Sequence, residues 1–153
     1  MVHPLAKRCL VTCALAVVMV LNASYTVAPG SVTVEITNLK SSKGSVLVSL
    51  FNNKEHFPRE GEKAIGKGKA TIVNGKATIT FKDLPYGKYA AALLHDENNN
   101  LKMDTNMVGI PKEGYGFSND AKGAMGPPSF EKAAFELNAP QKKITIKATY
   151  FLK

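Results

Sequence analysis

Residues 70–82, Ala-Thr-Ile-Val-Asn-Gly-Lys-Ala-Thr-Ile-Thr-Phe-Lys, decide the fold class. Two short runs, 70–73 and 76–80, flank Asn74-Gly75. Asn-Gly is the strongest short signal for a hairpin, because both central positions of that turn need positive φ. Beyond the turn Ala77, Ile79 and Phe81 alternate with Thr78, Thr80 and Lys82. A period of two places one set in a core and the other on a wet face.

The same period recurs on both sides. Val32, Val34 and Ile36 alternate with Thr33, Glu35 and Thr37, and Val46, Val48 and Leu50 follow after a break at Gly44. Near the end Ile144, Ile146, Ala148 and Tyr150 alternate with Thr145, Lys147 and Thr149. Tyr89–Leu94 is apolar at successive positions, the mark of an interior strand covered on both faces. Residues 129–137 carry two patterns. Phe130, Ala133, Ala134 and Leu137 form a helical stripe with Ser129 as N-cap, while Ala134–Leu137 followed by Asn138-Ala139-Pro140 reads as a strand entering a turn. The strand is preferred. The expectation is an all-β, antiparallel sandwich over residues 31–153, with about seven strands near 32–38, 45–51, 65–73, 76–82, 88–95, 133–138 and 142–151. Val34, Ile36, Val48, Leu50, Ile79, Phe81, Leu93, Ile146 and Ala148 should face its core.

Residues 1–24 read as a cleavable signal peptide. Lys7 and Arg8 precede an apolar run, Cys9–Leu21, and Asn22-Ala23-Ser24 supplies a small-residue exit. The run is shorter than the ~20 residues a membrane span needs, so a stable transmembrane protein is not expected. An uncleaved anchor and lipidation at Cys13 are the weaker alternatives; Thr12 is bulkier than the residue expected before a lipidated cysteine. The protein is therefore expected to be exported, to the periplasm or beyond. Both cysteines fall inside the signal, so the mature domain holds no disulfide, thiol nucleophile or thiolate metal site. The formal charge of +8 comes from scattered lysines, with no arginine cluster, which argues against nucleic acid as a partner.

One segment breaks the strand rhythm. Residues 96–129 carry no clear strand pattern, and structureless loops longer than ~15 residues are usually functional or disordered. Asp96, Asn98, Asn100 and Asp104 stand at the first, third, fifth and ninth places of a calcium loop, with the Lys102 carbonyl at the seventh. Leu101 occupies the place of the turn glycine, and Met107 that of the closing Glu. Such a site would bind calcium weakly. The plainer reading is a turn whose Asx side chains cap their own backbone. Downstream, Tyr115, Phe117 and Phe130 sit among glycines and prolines and offer stacking faces to a ligand; alternatively they plug one end of the sandwich. No catalytic residues emerge. His95 and Asp96 are neighbours on a strand and point to opposite faces, and no nucleophile elbow or phosphate loop is present.

Asp83-Leu84-Pro85-Tyr86-Gly87-Lys88-Tyr89, the strand end His95-Asp96-Glu97-Asn98, and the run Gly109–Asn119 (GIPKEGYGFSN) together resemble the exported bacterial domain-of-unknown-function family 2141. The resemblance spans roughly residues 32–151. It implies an immunoglobulin-like or prealbumin-like sandwich behind a signal peptide, without an assigned activity, and it carries over no catalytic residues. The leading expectation is an exported, non-enzymatic binding or accessory module for an extracytoplasmic ligand, a glycan or an envelope component, acting through the 96–130 region. A calcium-stabilised structural, adhesive or carbohydrate-binding sandwich is the alternative, and an enzyme comes third.

Overall fold

Eight strands and one helical turn account for nearly all the regular structure in the computed structural model, which describes residues 28–151. The strands are β1 (Gly30–Thr37), β2 (Ser45–Phe51), β3 (Gly66–Ala70), β4 (Ala77–Leu84), β5 (Gly87–Asp96), β6 (Gly114–Phe117), β7 (Phe135–Leu137) and β8 (Gln141–Lys147). The helical turn α1 covers Phe130–Ala133. The segment read as a signal, 1–24, lies outside the described residues together with both cysteines. Among the described residues no helix is long and apolar enough to cross a membrane.

The strands form two sheets. One has the order β4-β1-β8, the other β3-β2-β5-β6, with β7 also paired to β5. The alternation works as its period requires. Val32, Val34 and Ile36 of β1, Ile79 and Phe81 of β4 and Ile146 of β8 meet Val48, Leu50, Ala91 and Leu93 of the second sheet in one core. All nine residues expected inside are buried, and Thr78 and Thr80 are exposed. At roughly 1.5–3 kcal/mol for each large aliphatic or aromatic side chain removed from water, this layer is the main stabilising element.

The structure departs from the expected pattern at three places. First, β1 and β8 pair in parallel, Ser31 with Gln141 through Thr37 with Lys147, so the sandwich is not wholly antiparallel. Second, the Asn74-Gly75 turn forms, with φ of 51° and 71° and reciprocal bonds between Val73 and Lys76, but it does not join a continuous hairpin. After that single bridge β3 and β4 part into different sheets. Third, β6 is an eighth strand inside the supposed loop.

Residues 129–137 divide between the two readings: the helix stops at Ala133, short of Ala134 and Leu137, and the strand is only Phe135–Leu137. The Ser129 hydroxyl accepts the Lys132 N–H (3.4 Å), α1 makes one turn, and β7 follows. That turn and the 52–60 loop cover the outer face of β5. There Phe51, Phe57, Ala90 and Ala133 make a second, smaller core, against which Phe117 and Phe130 pack. This is why the run from Tyr89 lacks an alternation: Tyr89, Ala91 and Leu93 enter the main core, while Ala90 and Ala92 join the second.

Candidate functional site

The register of β6 on β5 builds the site. His95 pairs with Gly114, so Glu113 arrives beside Asp96, at the mouth of the 96–104 loop. Glu113 is only 5% exposed. Its Oε1 accepts the Glu97 N–H and its Oε2 the Asp104 N–H, both at 3.0 Å, so one carboxylate spans the two ends of the loop. Asp96 is fully buried and accepts the N–H groups of Asn100 (3.1 Å) and Leu101 (2.9 Å). Asn98 Oδ1 accepts the Asn100 N–H at 3.0 Å and Asn100 Oδ1 the Lys102 N–H at 2.8 Å. Asn98 and Asn100 each also donate through Nδ2 to Asp104, at 2.7 and 3.1 Å. Leu101, at the place a calcium loop gives to glycine, has φ of 64°.

The five predicted ligand positions thus occur in one curled loop, and Asn98, Asn100 and Asp104 are brought into direct contact. As they stand, their polar atoms serve backbone and one another. No three His, Cys, Asp or Glu side chains among the described residues are grouped to hold a metal ion. Glu113 is the residue that sequence reasoning missed. It lies beyond the twelve-residue window of a calcium loop and reaches it only through strand pairing. The one local signal was the Gly-Tyr-Gly-Phe alternation following it, which marks β6.

That alternation has a steric cause. Gly114 and Gly116 face inward, where a Cβ would come within 2.4 Å of the Tyr150 ring and 2.7 Å of Ile146 respectively. Tyr115 and Phe117 therefore share the outer face, with ring centroids 6.2 Å apart. They line a cleft of about 370 Å³ together with Lys122, Gly126, Lys147 and Thr149. Phe117 also packs edge-on to Phe57 at 5.9 Å, so it is both cleft wall and core plug. Phe130 is separated from this pair. It meets Phe57 from another side, also at 5.9 Å, and lines a different, larger and more open groove of about 820 Å³ with Phe135, Lys54 and Lys88. After Phe117, Ser118-Asn119-Asp120 fastens the chain. The Ser118 hydroxyl accepts the Ala91 N–H (2.9 Å) and donates to the Ala133 carbonyl (2.6 Å). Asn119 donates to the Ala134 carbonyl (2.7 Å), and Asp120 accepts the Lys147 N–H (2.9 Å).

His95 is held inside the fold by both ring nitrogens. It is fully buried on an interior strand; Nε2 is 2.9 Å from the Lys43 carbonyl and Nδ1 2.6 Å from the Tyr150 hydroxyl. A carbonyl only accepts, so Nε2 carries the proton and Nδ1 accepts from the tyrosine in the neutral ring. Neither of the two clefts described above is lined by His95.

A two-sheet β-sandwich with one clasped loop and an aromatic strand over a cleft is the class that this geometry defines. Within it, the chain belongs to the family described as uncharacterized protein conserved in bacteria (DUF2141), whose model matches residues 34–145. No curated protein and no solved structure matches the chain.

Proposed function

We propose that the chain is an exported, non-enzymatic binding module that takes a saccharide or related envelope component in the cleft beside β6. The observation that carries this reading is the forced outward placement of Tyr115 and Phe117, rigidly seated on a strand, over a cleft of about 370 Å³. That volume lies within the ~300–1,000 Å³ range of small-ligand sites. An aromatic face stacks on the apolar face of a sugar ring, and Lys122 and Lys147, two cations in the lining against the single acid Asp120, which already accepts the Lys147 N–H, favour a ligand with carboxylate or sulfate groups. The non-enzymatic reading is supported by the engagement of both His95 nitrogens and of the Asp96 carboxylate inside the fold.

The test is titration of the purified protein with neutral and acidic oligosaccharides. Tyr115→Ala should weaken binding about tenfold or more, the consequence of losing a stacking face. Lys122→Gln with Lys147→Gln should abolish any preference for acidic sugars. Binding that survives Tyr115→Ala undiminished would remove this cleft as the site.

A second reading, a calcium-stabilised sandwich, is favoured by Glu113 and the φ of Leu101. Half-turns of the Asn98 and Asn100 amides would exchange their Nδ2 donors for oxygens toward Asp104, with the buried Glu113 standing in for the absent closing Glu. Weak binding of the extracellular kind, filled to ten times its dissociation constant, stabilises by ~1.4 kcal/mol. Melting in about 5 mM calcium should then exceed melting in chelator by several degrees, and Asp104→Asn should erase the difference. Equal melting temperatures in wild type would leave the loop a self-capped turn.

A further inference from the structure

We propose that the tip of the 104–112 loop docks the protein on an anionic lipid surface. Beyond the bridge between Thr105 and Pro111 the chain turns through Asn106, whose Oδ1 accepts the N–H groups of both Val108 (3.0 Å) and Ile110 (2.9 Å). Backbone bonds from Asn106 N–H to the Ile110 carbonyl and from Gly109 N–H to the Asn106 carbonyl close the turn. The tip is therefore a shaped element, and it holds apolar side chains out in water. Met107 is fully exposed and Val108 78% exposed, while Leu101, in the preceding turn, is 64% exposed. A turn could present polar residues here at no cost to its hydrogen bonds.

The chemistry beside the tip indicates the occupant. Lys102 and Lys112 are exposed, and neither is in an ion pair among the described residues. The sole acid between them, Asp104, already accepts the amides of Asn98 and Asn100. Unbranched or aliphatic tip residues between free ammonium groups, on a chain of net charge +8 that keeps +6 once Lys7 and Arg8 leave with the signal segment, suit insertion below anionic headgroups. A protein partner fits less well: protein interfaces favour aromatic residues, methionine and arginine and are depleted in lysine, and the tip offers Met107 alone of these, with Lys102 and Lys112 beside it.

The chain contains no tryptophan, so a single one reports its own surroundings. Val108→Trp places it at the tip. Ile65→Trp places it at the far end of the sandwich, since Ile65 N–H bonds to Leu50 whereas Ser45, at the other end of β2, pairs with Asp96. With vesicles of phosphatidylcholine containing phosphatidylglycerol, Val108→Trp emission should move to the blue and the Ile65→Trp emission should not. This contrast identifies the tip even if another segment of the full chain also meets the bilayer. Adding Lys102→Gln and Lys112→Gln should weaken the tip signal about fivefold for each lysine removed. In unlabelled protein, Met107→Asp with Val108→Asp should lower co-sedimentation while leaving the melting temperature unchanged. The proposal is overturned by an unshifted tip signal, or by one indifferent to phosphatidylglycerol. It is equally overturned by a blue shift without vesicles that grows with protein concentration, which would make the tip a self-association contact.

Discussion

Tyr150 stands where three parts of the chain meet. Its hydroxyl donates to His95 Nδ1 at 2.6 Å and accepts the Lys40 N–H at 3.1 Å, and its ring fills the space that Gly114 leaves. Burial pushes its ionisation above the ordinary 10.0; the Glu97 charge acts in the same direction and the Lys40 N–H opposes both. A tyrosine harder to ionise when folded contributes stability that is complete below pH 10 and lost as pH rises through its folded value, because the unfolded chain sheds its proton first. Tyr89 is raised by burial as well and adds to the same decline. Urea titrations between about pH 8 and 11 should therefore show stability falling above about pH 10. Tyr150→Phe should be less stable at neutral pH but fall less steeply, with one phenolate fewer in the late part of the absorbance titration. An unaltered alkaline slope in the variant would show that the hydroxyl is solvated.

At the scale of elements, β5 and β6 organise the molecule. The Ser118 hydroxyl is the joint between them and α1, serving one N–H and one carbonyl, both buried. Ser118→Ala leaves the Ala91 N–H without that partner, which should cost about 1–3 kcal/mol. A denaturant midpoint lowered at constant slope would register it, and an unchanged midpoint would mean that water replaces the hydroxyl. The strands with apolar alternation were legible because Val34, Ile79 and Ile146 each face one core across a flat layer. β6 was not, because its inward positions are glycines, chosen for the closeness of Tyr150 and Ile146 rather than for strand propensity. The Asx loop was visible as a set of residue types, but Glu113 depends on the β5–β6 register, a non-local fact that no spacing within the loop encodes. Likewise Phe130 and Phe117 were grouped by proximity in sequence, whereas Phe57, from an unrelated loop, stands between them.

For the whole molecule, two cores lie on opposite faces of β5, and the sheet opposite is held together by a strand from each end of the described chain. Without β8, β1 would lose its pairing from Ser31 to Thr37, and the core would lose Ile146 and Ala148. A chain ending at residue 140 should therefore fail to show a cooperative melt or native dispersion in its amide spectrum. A folded truncation would demand that β1 close the sheet alone.

The side-by-side run of β1 and β8 also gives the protein a clock. Ribosomes make β1 among the first parts of the domain and its neighbour last, with more than a hundred residues between the paired positions. Until Lys147 is out, β1 has an open flank and the sandwich an uncovered seam. Such a chain stays threadable for as long as it is being made, and the completed fold is delayed to the moment its tail arrives. Under the export proposed above, with the chain threaded N-terminus first as it is made, this delay is an advantage. Both edges of the seam would then first be present together in the far compartment.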